Sequence, residues 1–276
     1  VQAMTMGAYA ARLAGVRTGR IATSISLFNL FMTASRLATL VYTLMLGPLS
    51  DRAGNAVRTL LGQARGGAAF AWPRIWEIQH VFELQLRLII VAGMVGTVVG
   101  SLLLPMFTFM YVRGVRSFER TKSLPHSLAR LFYPSVMLQV IRQMRVPHYR
   151  EIFGFSTRNI PARLLIFNVV VTAVYAIGVV AAYYASVLDV NVARTAIGIS
   201  GIINGIGTVA FTFFVDPTSS IIVDEAVKGE RPHAEVKSMV FYLALTAIAG
   251  WVLSQLLLFP AAWIIAAVAH VVNHGR

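Results

Sequence analysis

Apolar runs of twenty or more residues recur along this chain, and no other feature restricts its folding so severely. A helix needs about 20 such residues to cross a hydrocarbon core about 30 Å thick. Inside that core every backbone amide must be satisfied within the protein, which leaves only helices and closed barrels. The runs lack the alternation of barrel strands. The sequence therefore predicts an all-α fold, a polytopic membrane helical bundle of about six transmembrane helices. Composition agrees, with 57% hydrophobic and 13% charged residues, against about a quarter charged in a soluble domain. The absence of cysteine excludes disulfides, thiolate chemistry and Cys-based metal sites.

The expected spans are 1–14, 21–47, 81–112, 164–188, 194–215 and 237–270, within a single transmembrane domain, 1–276. The first run, Val1 to Ala11, would rise only about 16 Å as a helix, so it is expected to be the end of a longer one. Stretches 48–80 and 113–163 are expected not to span. In the latter, Leu128, Leu131, Phe132, Met137, Leu138 and Ile141 oppose Arg130, Arg142 and Arg145. That composition predicts an amphipathic helix lying in the interface, kinked near Pro134.

Net charge is +13, from 24 Lys and Arg against 11 Asp and Glu. These basic residues flank apolar spans, so anionic membrane lipids explain them and nucleic acid is not implied. Sixteen fall in the loops after the first, third and fifth segments, where Arg12, Arg17 and Arg20 form the first group. Six fall on the opposite side. The bias puts 113–163 in the cytoplasm and both termini outside.

Arg36 and Arg87 belong to neither set and lie inside or near the mouth of spans. Ionisable groups at membrane depth are costly and face a bundle interior or a water-filled cavity. Arg36 shares a helical face with Thr23, Ser26, Asn29, Thr33 and Thr43, which makes it a candidate cavity-lining residue; a structural Arg paired with a carboxylate or a backbone carbonyl is the alternative. Glu77, His80, Glu83 and Arg87 recur near helical spacing, and Glu83 and Arg87 are placed for a salt bridge. His80 beside two carboxylates is a candidate proton-linked group. Gly93, Gly96 and Gly100 form a small-residue face for helix contact.

Asn168, Thr172, Tyr175 and Ser186 form a seam for interhelical hydrogen bonds. The glycine-rich run Gly198–Gly207, with Asn204 at its middle, suggests close packing or local unwinding. Asn204, Thr208, Thr212 and Asp216 continue as a slowly winding stripe. Asp216-Pro217 is expected to close that helix, with Asp224 and Glu225 in the loop beyond. Asp216 is a candidate partner for a loop Arg or a coupling cation, or a plain helix-end aspartate. No catalytic motif, metal-ligand spacing or cofactor signature emerges.

Three long stretches carry a resemblance: Ala8 to Leu40 (AYAARLAGVRTGRIATSISLFNLFMTASRLATL), Ser156 to Ala185 (STRNIPARLLIFNVVVTAVYAIGVVAAYYA) and Ser200 to Pro217 (SGIINGIGTVAFTFFVDP). They resemble the Amj family of lipid II flippases. The resemblance implies a multi-pass protein of the bacterial cytoplasmic membrane that moves lipid-linked peptidoglycan precursor between leaflets. Its ligand would carry a pyrophosphate, for which Arg offers bidentate contacts. Arg12, Arg17 and Arg20 would then form a basic vestibule, and Arg36 a mid-membrane station. Asn29, Arg87 and Asn204 complete the candidate substrate contacts; His80, Glu83, Asp216 and Asp224 are the candidate coupling or gating residues. An ion-coupled small-solute transporter is the nearest alternative on physics alone. A membrane-embedded enzyme acting on polyprenyl phosphates is the other, with Glu77, His80 and Glu83 as its candidates.

Overall fold

The computed structural model describes residues 6–64, 71–122, 133, 138–139 and 155–274, apart from the side chains at 30, 31, 34–36, 38–40 and 274. Among the described residues every extended element is helical. They are α1 (Gly7–Thr18), α2 (Ile21–Gln63), α3 (Trp72–Leu102), α4 (Leu104–Thr121), α5 (Ala162–Leu188), α6 (Ala193–Ala210), a π-helical turn (Phe211–Val215), α7 (Asp216–Lys228) and α8 (His233–His274). Four stretches among the described residues are long and apolar enough to cross a membrane: Trp72–Leu102, Ala162–Leu188, Ala193–Lys228 and His233–Asn273. The chain is a helical membrane protein.

Several helix boundaries differ from the sequence expectation. α1 does not stop at residue 14 but runs to Thr18 and ends on Gly19, whose φ of 67° is left-handed and whose N–H returns to the Gly15 carbonyl. Glycine reaches that conformation without a Cβ clash. Arg12 and Arg17 are thus helical residues, not loop residues. α2 continues past residue 47 for 43 residues in all, about 64 Å at 1.5 Å per residue, so much of 48–80 is helix. The expected third span is divided at Leu103, just before Pro105. A proline has no N–H to give and sits best in the first turn of a new helix.

Pro217 likewise restarts a helix instead of closing one. Within a continuous α-helix its ring would meet the Phe213 carbonyl, four residues back. The π turn at Phe211–Val215 removes that conflict, and α7 proceeds from Asp216. Ser219 Oγ then donates to the Val215 and Asp216 carbonyls at 2.9 and 3.0 Å, covering acceptors that the junction exposes. The change of pitch also ends the four-residue stripe of Asn204, Thr208, Thr212 and Asp216. The amphipathic stretch at 127–145 lies almost wholly outside the described residues.

The chain forms two compact units: Val1–Ala38, Met94–Asn168 and Phe211–Ile248 in the first, and Thr39–Gly93, Val169–Ala210 and Ala249–Arg276 in the second. In the first unit α1 packs on α4 and α7. A Cβ at Gly7 would lie 2.8 Å from the Tyr111 hydroxyl, so the small residue permits the α1–α4 approach. In the second, Gly93 leaves room for the Trp251 indole, as the small-residue reading of that helix expected. A side chain at Gly250 would strike Thr172 and the Val169 carbonyl, which sets the closeness of α5 and α8 there. Dispersion packing rather than apolar transfer drives such contacts within a membrane.

Candidate functional site

The first unit has a polar interior built on α1. Tyr9 is buried and its hydroxyl donates to Asn168 Oδ1 at 3.0 Å. Asn168 Nδ2 donates in turn to the Leu243 carbonyl at 2.8 Å and to Thr246 Oγ1 at 2.9 Å. Asn168 thereby joins α1, α5 and α8 with both ends of its amide satisfied, and such saturated networks fix one arrangement of a core.

One turn beyond Tyr9 on the same helix, Arg12 Nη2 donates to Asp216 Oδ1. The pair is asymmetric. The Arg12 side chain is 8% exposed and that of Asp216 50%. Arg12 Nη1 is buried and has no acceptor among the described residues. This corrects the expectation of an open vestibule at Arg12: the residue lies in a helix that faces protein, and its charge is balanced internally. The Asp216 reading as partner of an arginine agrees with the geometry, although that arginine is helical.

Arg17 and Arg20 are exposed at the end of α1. Arg20 Nε donates to Glu119 Oε1 at 2.8 Å, linking the α1–α2 turn to α4. Both partners are exposed, so this pair contributes at most about 1 kcal/mol. Ser26, Asn29 and Thr33 of α2 are exposed, and Thr33 Oγ1 donates back to the Asn29 carbonyl at 3.0 Å. On this stretch of the polar face Ser26, Asn29 and Thr33 are uncovered, while Thr23 and Thr43 are partly covered. The side chain of Arg36 lies outside the described residues.

Beyond α7, Arg231 binds Glu225 Oε2 at 2.7 Å and Glu235 Oε2 at 2.9 Å. Burial works against its charge, but the hydrogen bonds and charges of Glu225 and Glu235 outweigh that and raise the guanidinium above its ordinary value. Asp224, grouped with Asp216 in the sequence reading, is exposed on α7 and so belongs to a helix rather than a loop.

The second unit holds a different arginine site. Arg87 Nε and Nη2 both reach Glu83 Oε1, at 2.8 and 2.7 Å. Arg87 Nη1 donates to the Gln255 carbonyl at 2.7 Å, and Gln255 Nε2 donates back to the Arg87 carbonyl at 3.0 Å. Tyr184 donates to Glu83 Oε2 at 3.1 Å. The predicted Glu83–Arg87 pair is thus present and extended into a tie between α3, α5 and α8. His80 Nδ1 lies 3.7 Å from Glu83 Oε2, and the His80 ring stacks on Trp76. Among the described residues no three His, Asp or Glu side chains are arranged to hold a metal.

Asn204 Oδ1 is buried without a hydrogen-bond partner among the described residues. A Cβ at Gly178 would come within 2.5 Å of it, so Asn204 sits against α5. Next to it, Tyr175 donates to Thr208 Oγ1 at 2.6 Å and Thr208 to the Asn204 carbonyl at 2.9 Å. Gly198, Gly201 and Gly205 have nothing near the place a Cβ would occupy, whereas a Cβ at Gly207 would meet the Tyr175 ring at 3.5 Å; α6 does not unwind along this run and packs closely only at its Gly207 end.

Sequence reasoning missed Tyr9, Gln255, Gln79 and Ser50. Gln79 Nε2 donates to the Val187 carbonyl at 3.1 Å, and Ser50 and Ser186 hydroxyls meet at 2.9 Å. Each is a polar residue within a helix that crosses or abuts an apolar run, which is the signal that could have found it. Gln79 also lines a cleft of about 660 Å³ with Trp72, Asp189, Trp263 and His270.

A family model described as "Amj: Alternate to MurJ" matches residues 1–269. The chain belongs to the Amj family. The protein named "Lipid II flippase Amj" from Bacillus subtilis (strain 168) is 32% identical over 260 residues, covering 94% of this chain and 89% of that relative. No solved structure matches the chain.

Proposed function

We propose that this chain is a flippase that moves lipid II, the lipid-linked peptidoglycan precursor, across the bacterial cytoplasmic membrane through a cationic polar cavity. The near full-length relationship to a protein named for that activity carries the reading. The exposed polar face of α2 supports it: Ser26, Asn29 and Thr33 stand uncovered on a helix of a membrane protein, where a polar face needs water or a polar ligand. Arg17 and Arg20 at the foot of that helix would attract a diphosphate headgroup. Arg36, farther along the same helical face, would meet it at membrane depth through bidentate contacts. The chain acts as a transporter, not as an enzyme, and spans the membrane six times with 113–163 in the cytoplasm.

The test is appearance of lipid II on the outer leaflet in cells where this chain is the sole candidate flippase. Flux is expected with the native chain. Arg36→Ala should lower it at unchanged protein level, and intact flux in that variant would remove Arg36 from the route. Absence of flux with correctly inserted native protein would overturn the flippase reading.

A further inference from the structure

Asp216, we infer, holds the place on Arg12 that a phosphate oxygen of the transported ligand takes, so the pair is a clasp closed by the protein's own carboxylate and opened by anion exchange. This rests on the flippase reading for the identity of the ligand. The shared chemistry is a diphosphate, whether borne by a lipid or free.

Three observations lead to it. The Arg12 guanidinium is buried in α1, which packs on α4 and α7, and a buried cation requires a counter-charge at all times. Its present counter-charge is a contact from Nη2 to one carboxylate oxygen, while the buried Nη1 has no acceptor among the described residues. A guanidinium is a planar fork that matches two oxygens of a phosphate at once, so this one has binding capacity that Asp216 leaves unused. Tyr9, the polar neighbour one turn away, donates its hydroxyl to Asn168 and accepts nothing from Nη1.

The partners also differ in what leaving would cost. Half of the Asp216 side chain is already uncovered by protein, so turning outward gives up little contact beyond the Arg12 bond. Arg12 has no such exit. Asp216 also opens α7 directly after the π turn and before Pro217, where no proline N–H ties the backbone to the preceding turn. An incoming diphosphate would replace one carboxylate oxygen by several acceptors and keep the guanidinium neutralised throughout. The exchange is a competition, and its strength depends on how far the carboxylate holds the closed state.

The test compares the full chain with Asp216→Asn in lipid nanodiscs, following thermal melting against inorganic pyrophosphate and against geranyl diphosphate. The variant should melt below the native protein in anion-free buffer. Its half-saturating concentration should be about tenfold lower, as expected when a closed competitor populated in most molecules is removed. Arg12→Gln in the same background should abolish the response. Tightening for both ligands means that the diphosphate group suffices, and tightening for geranyl diphosphate alone means that the clasp reads a lipid-borne anion; either supports the inference. Unchanged half-saturation for both ligands overturns it.

If Asp216→Asn does not fold, Arg12→Lys decides. A point charge in place of the fork should weaken the native response to diphosphate, and an undiminished response overturns the clasp. Outer-leaflet lipid II flux by the native chain keeps the two ideas separate. Flux without tightening removes the clasp and leaves the flippase, whereas tightening without flux leaves the anion site and removes the flippase.

Discussion

Arg12 and Arg87 each meet a carboxylate inside a helical unit, yet they are bound in opposite ways. Arg87 turns two nitrogens to Glu83 and a third to the Gln255 carbonyl, and Gln255 answers with a bond to the Arg87 backbone. Glu83 is itself only 14% exposed and takes a further bond from Tyr184. Arg12, more deeply buried than Arg87, is held through one nitrogen by an aspartate that half faces solvent. The units differ in the same sense. The first contains 17 of the 24 Lys and Arg, the second seven. Where positive charge is most concentrated, the protein leaves an arginine partly unsatisfied; where it is scarce, the arginine is saturated. The saturated ion pair ties helices together, and the unsaturated one is where a ligand anion is inferred to bind.

That contrast can be broken most directly at Arg87. Arg87→Ala strands Glu83 and should destabilise the protein by about 3 kcal/mol, seen as a large fall in melting temperature in detergent that pyrophosphate does not restore. Restoration by the anion would erase the distinction from the Asp216→Asn variant. Next in size is Asn168→Ala, which strands the buried Tyr9 hydroxyl and removes the Asn168 bonds to the Leu243 carbonyl and Thr246, and should cost about 2 kcal/mol. It tests whether the first unit is loose throughout or only at Arg12; a negligible change in the melt would mean throughout. Gln255→Leu removes the side-chain half of the reciprocal lock, the Nε2 bond to the Arg87 carbonyl, and leaves Arg87 Nη1 on the backbone carbonyl of residue 255. A loss of about 1.5 kcal/mol is expected, together with faster hydrogen exchange of the α8 amides around residue 255. Smallest is Glu119→Ala. Its exposed pair with Arg20 should change stability by no more than about 1 kcal/mol, and by less at high salt; a larger change in a urea or thermal melt would mark that turn as a true joint.

The bundle was legible because long apolar runs admit few folds, and the Glu83–Arg87 pair because its partners are four residues apart on one helix. Helix ends were harder. The apolar run of α1 fades before the helix does, and the marker of its end was Gly19, a residue able to take the left-handed cap. Pro217 read as a stop because the sequence shows the missing N–H but not the π turn that accommodates it. Partners far apart in the chain were the hardest. Asp216 was identifiable as some arginine's partner, but its pairing across 204 residues with Arg12 was not, and Gln255 gave no local sign of Arg87, 168 residues before it. In each case the position is set by helix packing, which leaves no periodic trace in the chain.

The α1–α2 turn has a mechanical consequence. Two residues, Gly19 and Arg20, join the helices; a Cβ at Gly15 would sit 3.1 Å from the Ile21 backbone; and Ser24 Oγ donates to the Ala11 carbonyl at 2.7 Å. With so short a tether and a clamp one turn beyond it, α1 and the start of α2 form a single lever. Arg12, Arg17, Arg20 and the exposed polar face at Ser26 and Asn29 are mounted on it together. The grip of Asp216 on Arg12 therefore bears on the same rigid piece that carries this cationic and polar arm.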